Sequence, residues 1–322
     1  MAIQPKQRIT TDAIVFDGSN AAHRISNASA ALTNPRGERV EVVFGLLRMV
    51  SSILRQNPAK SVYLVWDGKG SKARRQAKDP LYKANRGKDF SEEDKERIKD
   101  MHRQIEVFRS LFAQYLPLTW MISEKYEADD LMAMIAFEME NERKSTLIVT
   151  GDKDMLQLVS RYTNVFRPGK DHRYTPDNFK ELTGYPDGQA FLYGKCLQGD
   201  SSDNVPGIKG IGEKTAMKIM EEHGWHLASV LGDHYNLLEG SAVGRRLKEE
   251  ESKARISLNY TLMCLISPIT TAGLSDKAMS KVSVENGNLK EVYLKTNLAK
   301  QGFASILGNF TQFIEPFKKV TR

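Results

Sequence analysis

Three short apolar runs that each stop at an aspartate constrain this chain more than any other feature. AIVFDG ends at Asp17, SVYLVWDG ends at Asp67, and LIVTGDKD places Asp152 and Asp154 just beyond Leu147 to Val149. Short runs that are apolar on consecutive residues read as strands buried on both faces, which means a parallel sheet. In open α/β sheets ligands sit in the crevice outside the carboxyl ends of the strands, so three strands deliver acid to one rim. Carboxylates crowded together cannot all stay ionised unless cations lie among them, and hard divalent ions suit oxygen ligands. A single aspartate after a strand can equally cap a helix or make a turn. The threefold recurrence favours a shared site.

The segments between these strands have helical patterns. From Val40, the apolar residues Val43, Phe44, Leu47, Val50 and Leu54 recur at helical spacing and stop near Asn57-Pro58, predicting a right-handed crossover to a strand over 61–66. Ile98, Met101, Ile105, Phe108 and Leu111 predict a second helix starting at Glu92, and residues 118–122 a strand. In YEADDLMAMIAFEM, Glu127, Asp129 and Asp130 occupy the first turn of a helix whose Leu131, Met134, Ile135 and Met139 face inward. Acid at a helix start also suits the dipole. Past the third aspartate run, residues 154–159 read as a helix and 164–166 as a short strand.

Between the second strand and the second helix the composition changes. Residues 69–99 hold eleven Lys or Arg against six Asp or Glu, with few apolar side chains. Lys69, Lys72, Arg74, Arg75 and Lys78, followed by Tyr82, Lys83 and Arg86, mix cations with an aromatic ring, which is the combination that grips phosphates and stacks on bases. A solvated charged loop is the plain alternative. The net charge of +7 and pI near 9.2 also point to a polyanionic partner.

Strands are expected to stop near residue 190, with a soft boundary between 175 and 190. In LQGDSSDNVPGIKGIGEKTAMKIM, Asp200 and Asp203 precede a hairpin over 207–212 and a helix starting at Glu213. Gly207, Gly210 and Gly212 let backbone N–H groups approach a phosphate, and Lys209, Lys214 and Lys218 add charge. A charged helical run over 245–255 and an amphipathic end over 298–313 suggest no chemistry. Cys196 and Cys264 cannot build a disulfide framework and read as thiols in a reducing compartment. The start, MAIQPKQRITTD, has no apolar core of a signal peptide, and no eighteen apolar residues run together, so a soluble, cytoplasmic protein is expected. His223 and His226 share a helical spacing without a further ligand, which argues against zinc.

FDGSN, RGERVEVVFG, WDGKGSKARRQ, YKANR, YEADD, TGDKD, GDSSDNVPG and GIKGIGEKTA stand in one order. With them the chain closely resembles the 5′-nuclease family: the 5′-to-3′ exonuclease domain of bacterial DNA polymerase I, stand-alone phage 5′-exonucleases and, more distantly, flap endonucleases. The resemblance implies an α/β fold with a central, mostly parallel sheet flanked by helices (PIN-like), followed by a helical domain containing a helix-hairpin-helix element. The expected domains are 1–185, including a basic arch over 69–110, and 186–322, with the helix-hairpin-helix over 195–223. With no polymerase domain following, a free-standing member of phage or bacterial type is expected.

The resemblance further implies structure-specific 5′-to-3′ exonuclease and flap-endonuclease hydrolysis of DNA, with RNA primers as a second substrate class, in replication and repair. Two Mg²⁺ or Mn²⁺ ions would be held by Asp17, Asp67, Glu127, Asp129, Asp130, Asp152, Asp154, Asp200 and Asp203. Asp67, Glu127, Asp129, Asp130 and Asp152 fall to the tighter ion, and Asp154, Asp200 and Asp203 toward the other. Lys83 and Arg86 match basic residues at the scissile phosphate, Tyr82 an aromatic position, and the glycine hairpin a duplex-binding element that often carries a monovalent cation, K⁺. A monomer is expected, acting on DNA with 5′ ends, flaps or nicks, or on an RNA-DNA hybrid. Two rivals are a junction binder without catalysis and a PIN-like ribonuclease. The first would lack carboxylates and the second the hairpin and basic arch. A membrane role has no basic amphipathic helix in its favour.

Overall fold

A computed structural model describes residues 11–232, 241–271 and 273–321 of the chain. Most of the N-terminal stretch from which the missing signal peptide was inferred, residues 1–10, lies outside them.

The three aspartate-terminated runs are strands. They are β1 (Thr11–Asp17), β2 (Ala59–Asp67) and, after β3 (Thr119–Ser123), β4 (Thr146–Val149). Next come β5 (Thr163–Arg167) and β6 (His172–Tyr174), then a two-residue ribbon of β7 (Gly199–Asp200) with β8 (Val205–Pro206), and finally β9 (Ser283–Asn286). The main sheet has the order β6-β5-β4-β1-β2-β3-β9, parallel through its five central strands and antiparallel at both edges. The chain runs outward from β1 through β2 to β3, then returns to the opposite side of β1 with β4. Strand order therefore reverses between β1 and β4, where a crevice must open at the carboxyl ends.

The two faces of the sheet bury separate cores. Helices α1 (Gly18–Ala28), α2 (Glu41–Gln56) and, past the short α3 (Ala73–Gln76), α4 (Glu92–Leu111) cover one face, where Phe16, Leu46, Leu47, Leu64 and Phe108 are fully buried. Burying each such side chain stabilises the fold by roughly 1.5–3 kcal/mol. Helix α5 (Ala128–Asn141) covers the other face with Leu131, Met134, Ile135 and Met139, as its spacing predicts. A capping box starts α5: the Glu127 side chain accepts from the Asp130 backbone, and the Asp130 side chain accepts from the Glu127 backbone.

Beyond α6 (Phe179–Thr183), a third core joins α7 (Gly188–Gln198), α8 (Glu213–Glu222), α9 (Leu227–Leu231), α10 (Ala242–Leu247) and α11 (Glu250–Met263). Three sequence expectations need correction here. Strands do not stop near 190, because the ribbon follows α7 and β9 pairs with β3, Met121 facing Val284. The last stretch also does not belong to a separate helical domain, since Leu294, Leu298, Phe310 and Phe313 pack into the first core. Their apolar stripe matches that core, and sequence order alone does not show which core a stripe will meet. The segment expected as a helix over 154–159 is a 3-10 turn over Asp154–Leu158. No helix among the described residues is long and apolar enough to cross a membrane.

Candidate metal centre and nucleic-acid interface

Asp17 is the last residue of β1 and the cap of α1. Its Oδ1 accepts from the Asn20 backbone N–H at 2.9 Å and its Oδ2 from the Thr150 hydroxyl at 2.7 Å. Asp67 closes β2 and accepts from the Ala128 backbone N–H at 2.9 Å, which ties the second strand to the start of α5. Asp152 follows β4 and accepts from the Asp154 N–H at 2.8 Å. These three and Asp129 of α5 line one cavity of about 840 Å³, together with Lys83, Arg86 and Phe90 of the arch.

The carboxylates sense one another. Burial pushes Asp17 up to about 7, and repulsion from Asp67 and Asp152 adds to it against the bonds from Asn20 and Thr150. Asp129 is raised well above the usual carboxylate range by burial and then by Asp152, Asp17 and Asp67, with Lys83 opposing. Negative charge collected without enough compensation is what a cation would relieve. The donors are all oxygen and all anionic, so they fit a hard divalent ion. No three His, Cys, Asp or Glu side chains among the described residues converge tightly enough to hold an ion as they stand. Asp17, Asp67 and Asp152 each accept from N–H or hydroxyl donors, which orient their carboxylates.

Glu127 and Asp130 face the arch. Arg75, 4% exposed, donates to Asp130 through two nitrogens at 2.9 and 3.0 Å, bonds Glu127, and donates to the Leu262 carbonyl at 2.8 Å. Arg74 adds a bond to Asp130 at 2.7 Å. Lys83 donates to Glu127 at 2.6 Å and lies 3.5 Å from Asp203. Burial alone would raise both acids, but Arg75 leads a set of cations that holds each below its ordinary range. Burial likewise opposes the Lys83 charge, and Asp129, Tyr82 and Glu127 outweigh it.

The remaining acids form a second group. Asp154 and Asp200 share Lys195 of α7, whose ammonium lies 2.6 Å from Asp200, and all three line a cavity of about 420 Å³ that also includes Asp152. Burial pushes Asp154 up to about 6 against the pull of Lys195. Asp203 is held at the arch, with Arg86 donating to it at 2.6 Å. Nothing in the sequence pattern singled out Lys195. Its place five residues before Asp200, on the helix that leads into the ribbon, is the signal that could have.

Between α7 and α8 the hairpin over 207–212 buries Ile208 and Ile211 and exposes Lys209, Gly210, Gly212 and Lys214. Gly210 has φ +88°, and a Cβ on Gly207 would lie 2.0 Å from the Gln198 carbonyl. Gly212 caps α8 with no side-chain bond, leaving the helix start open to an anion.

Two of the expected DNA contacts are corrected. Tyr82 is 3% exposed in the helical core, its hydroxyl 3.2 Å from Asp203, so no base can stack on it. Arg75 is buried on carboxylates and cannot reach a phosphate. Lys69 and Lys72 are exposed, and Arg74 is partly so. The aromatic ring that the arch does present is Phe90, 44% exposed on the cavity wall; no basic run adjoins it in the sequence to mark it as a nucleic-acid contact.

The 5′-3′ exonuclease N-terminal resolvase-like domain matches residues 12–184, and the 5′-3′ exonuclease C-terminal SAM fold matches residues 188–297. The thermostable DNA polymerase I of Thermus thermophilus is 33% identical over 258 residues, which cover 80% of this chain and 29% of that protein. DNA polymerase I of Mycobacterium tuberculosis is 34% identical over 274 residues, covering 82% and 28%. The chain thus spans less than a third of the length of these relatives. Among solved structures, the T5 5′-exonuclease with divalent zinc ions bound superposes with TM-score 0.70 at 19% identity, covering 90% of this chain and 99% of that one. The flap endonuclease of Methanococcus jannaschii superposes with TM-score 0.57 at 15% identity, covering 98% and 96%. Both domain matches together take in the acid rim, the arch and the glycine hairpin, and the chain belongs to the 5′-3′ exonuclease family.

Proposed function

We propose that this chain is a divalent-metal-dependent 5′ nuclease, hydrolysing phosphodiester bonds of DNA at 5′ ends, nicks and flaps. The observation that carries the reading is the single cavity in which Asp17, Asp67, Asp129 and Asp152 face Lys83 and Arg86. No side-chain nucleophile is needed. Divalent ions held there, Mg²⁺ or Mn²⁺, would supply the Lewis acidity that activates water and offsets the charge of a phosphoryl transition state. Asp17, Asp67, Asp129 and Asp152 are the proposed holders of the first ion, with Glu127 joining if Lys83 moves toward substrate. Asp154, Asp200 and Asp203 would hold the second, in place of their ion pairs with Lys195 and Arg86.

Lys83 and Arg86 place positive charge where the phosphate gains negative charge. Asp130 keeps Arg75 and the helix start in place, so its part is to hold the arch over the acids. The open start of α8, with Lys209 and Lys214, takes the duplex backbone, and the hairpin carbonyls are the proposed K⁺ seat. RNA-DNA hybrids and the monomeric state belong to the same proposal.

Digestion of a 5′-labelled flap, a nicked duplex and an RNA-DNA hybrid tests it. Short labelled products in Mg²⁺ or Mn²⁺ and none in EDTA are expected; full cleavage in chelator overturns the metal role, and intact DNA in every buffer overturns the reading.

A further inference from the structure

A second cleft, of about 1020 Å³, opens at the outer foot of the arch, between the start of the arch, the loop from β3 to α5, and the turn before β9. Ile122 is a wall it shares with the acid-lined cavity. Lys69, Arg74, Lys125 and Lys281 line it against one acid, Glu124. Lys69, Lys125 and Lys281 are exposed, and none has a carboxylate partner among the described residues. Three elements far apart in sequence thus turn unpaired ammonium groups toward one space.

Ser123 fixes the walls. Its hydroxyl donates to the Lys281 carbonyl at 2.6 Å and accepts from the backbone N–H groups of Lys125 and Tyr126 at 3.1 Å each. Its carbonyl accepts from Gly68 N–H at 3.1 Å, and a Cβ on Gly68 would lie 2.2 Å from that oxygen. The arch foot therefore packs backbone to backbone against the end of β3, and the cleft is part of the scaffold. No aromatic side chain lines it, so it has cations for phosphates and no platform for bases.

We infer that this cleft seats single-stranded nucleic acid, holding the sugar-phosphate backbone of the 5′ segment that has passed the acids. The inference rests on the 5′-nuclease reading for its substrate. Its physical basis is the shared wall at Ile122, the excess of positive charge, and the absence of any stacking surface. Contacts of this kind are independent of sequence and sensitive to salt.

The test compares the full chain with Lys125→Glu/Lys281→Glu, two exposed positions, on matched duplexes carrying a single-nucleotide flap or a flap of roughly fifteen nucleotides. The variant is expected to raise KM for the long flap while leaving kcat/KM for the single-nucleotide flap unchanged. Loss of two backbone contacts should flatten the salt dependence of the long-flap KM by about 1.4 in log-log slope, about sevenfold between 50 and 200 mM salt. Equal effects on both flaps, or none on either, overturn the seat. Anisotropy of labelled oligothymidylate in EDTA needs no cleavage and separates the two readings. Tight wild-type binding weakened in the variant, with no cleavage of any substrate, would sink the nuclease reading and leave the seat standing. Polyglutamate displacing the strand at equal charge concentration would overturn its assignment to nucleic acid.

Discussion

The Arg75 guanidinium is buried against the Asp130 carboxylate, Nη2 donating to Oδ1 at 2.9 Å and Nη1 donating to Oδ2 at 3.0 Å. One end of this pair belongs to the arch and the other to the first turn of α5, so a buried ion pair joins the basic segment to the sheet.

Removing one member of such a pair leaves its partner charged in a site without water. Arg75→Ala should therefore cost about 3–5 kcal/mol of unfolding free energy, while Arg74→Ala, whose partner keeps Arg75, should cost about 1 kcal/mol or less. Urea denaturation followed by circular dichroism measures both. Equal small losses would show that Arg75 does not anchor the arch.

Asp129 sits where like charges crowd. Asp129→Asn removes one of them, so the metal-free protein should melt at a higher temperature than wild type by a few degrees, while flap cleavage falls by at least about 100-fold. A lower melting temperature with unimpaired cleavage would contradict the crowding.

The pH dependence of stability follows from the raised acids. Asp17 rises from 3.8 in the unfolded chain to about 7, so between those values the native state holds the extra proton and stability falls as pH rises. Asp154, at about 6, acts in the same direction over a narrower window. Glu127 and Asp130, held low by Arg75, act oppositely and lose stability as pH drops below about 4. Metal-free melting temperature should thus increase from about pH 8 to about pH 5 and then decline. Added Mg²⁺ should stabilise more at the upper end, where protons no longer compete with it. A metal-free melting temperature that falls steadily from the upper pH would contradict the burial of Asp17.

Tyr82 is buried, and Phe90 is the exposed ring of the arch. Tyr82→Phe should leave flap affinity within about twofold, because the ring faces the core, whereas Phe90→Ala should weaken binding of an unpaired 5′ strand by about 1–3 kcal/mol without altering stability. Anisotropy titration beside thermal melts distinguishes the two. Weaker DNA binding by Tyr82→Phe alone would restore the stacking role to Tyr82.

The sequence by itself determined the parallel centre of the sheet, the start of α5 and the gathering of acid on one rim. Each depends on a local rule: consecutive apolar residues make a strand buried on both faces, and an acid past its end must lie at the crevice. The glycine hairpin between two helices was legible for the same reason, since its backbone demands glycine within a few residues. Only the tertiary structure decided which acids meet cations and which meet each other. Arg75 and Tyr82 look like their exposed neighbours Lys72 and Leu81 in the chain, but the arch folds back onto α5 and the helical core and buries the first pair. The return of β9 to the sheet edge beside β3 and of the last helices to the first core was equally hidden, because an apolar stripe specifies that it will be buried without naming the surface, and that choice belongs to shape and contact across the whole fold.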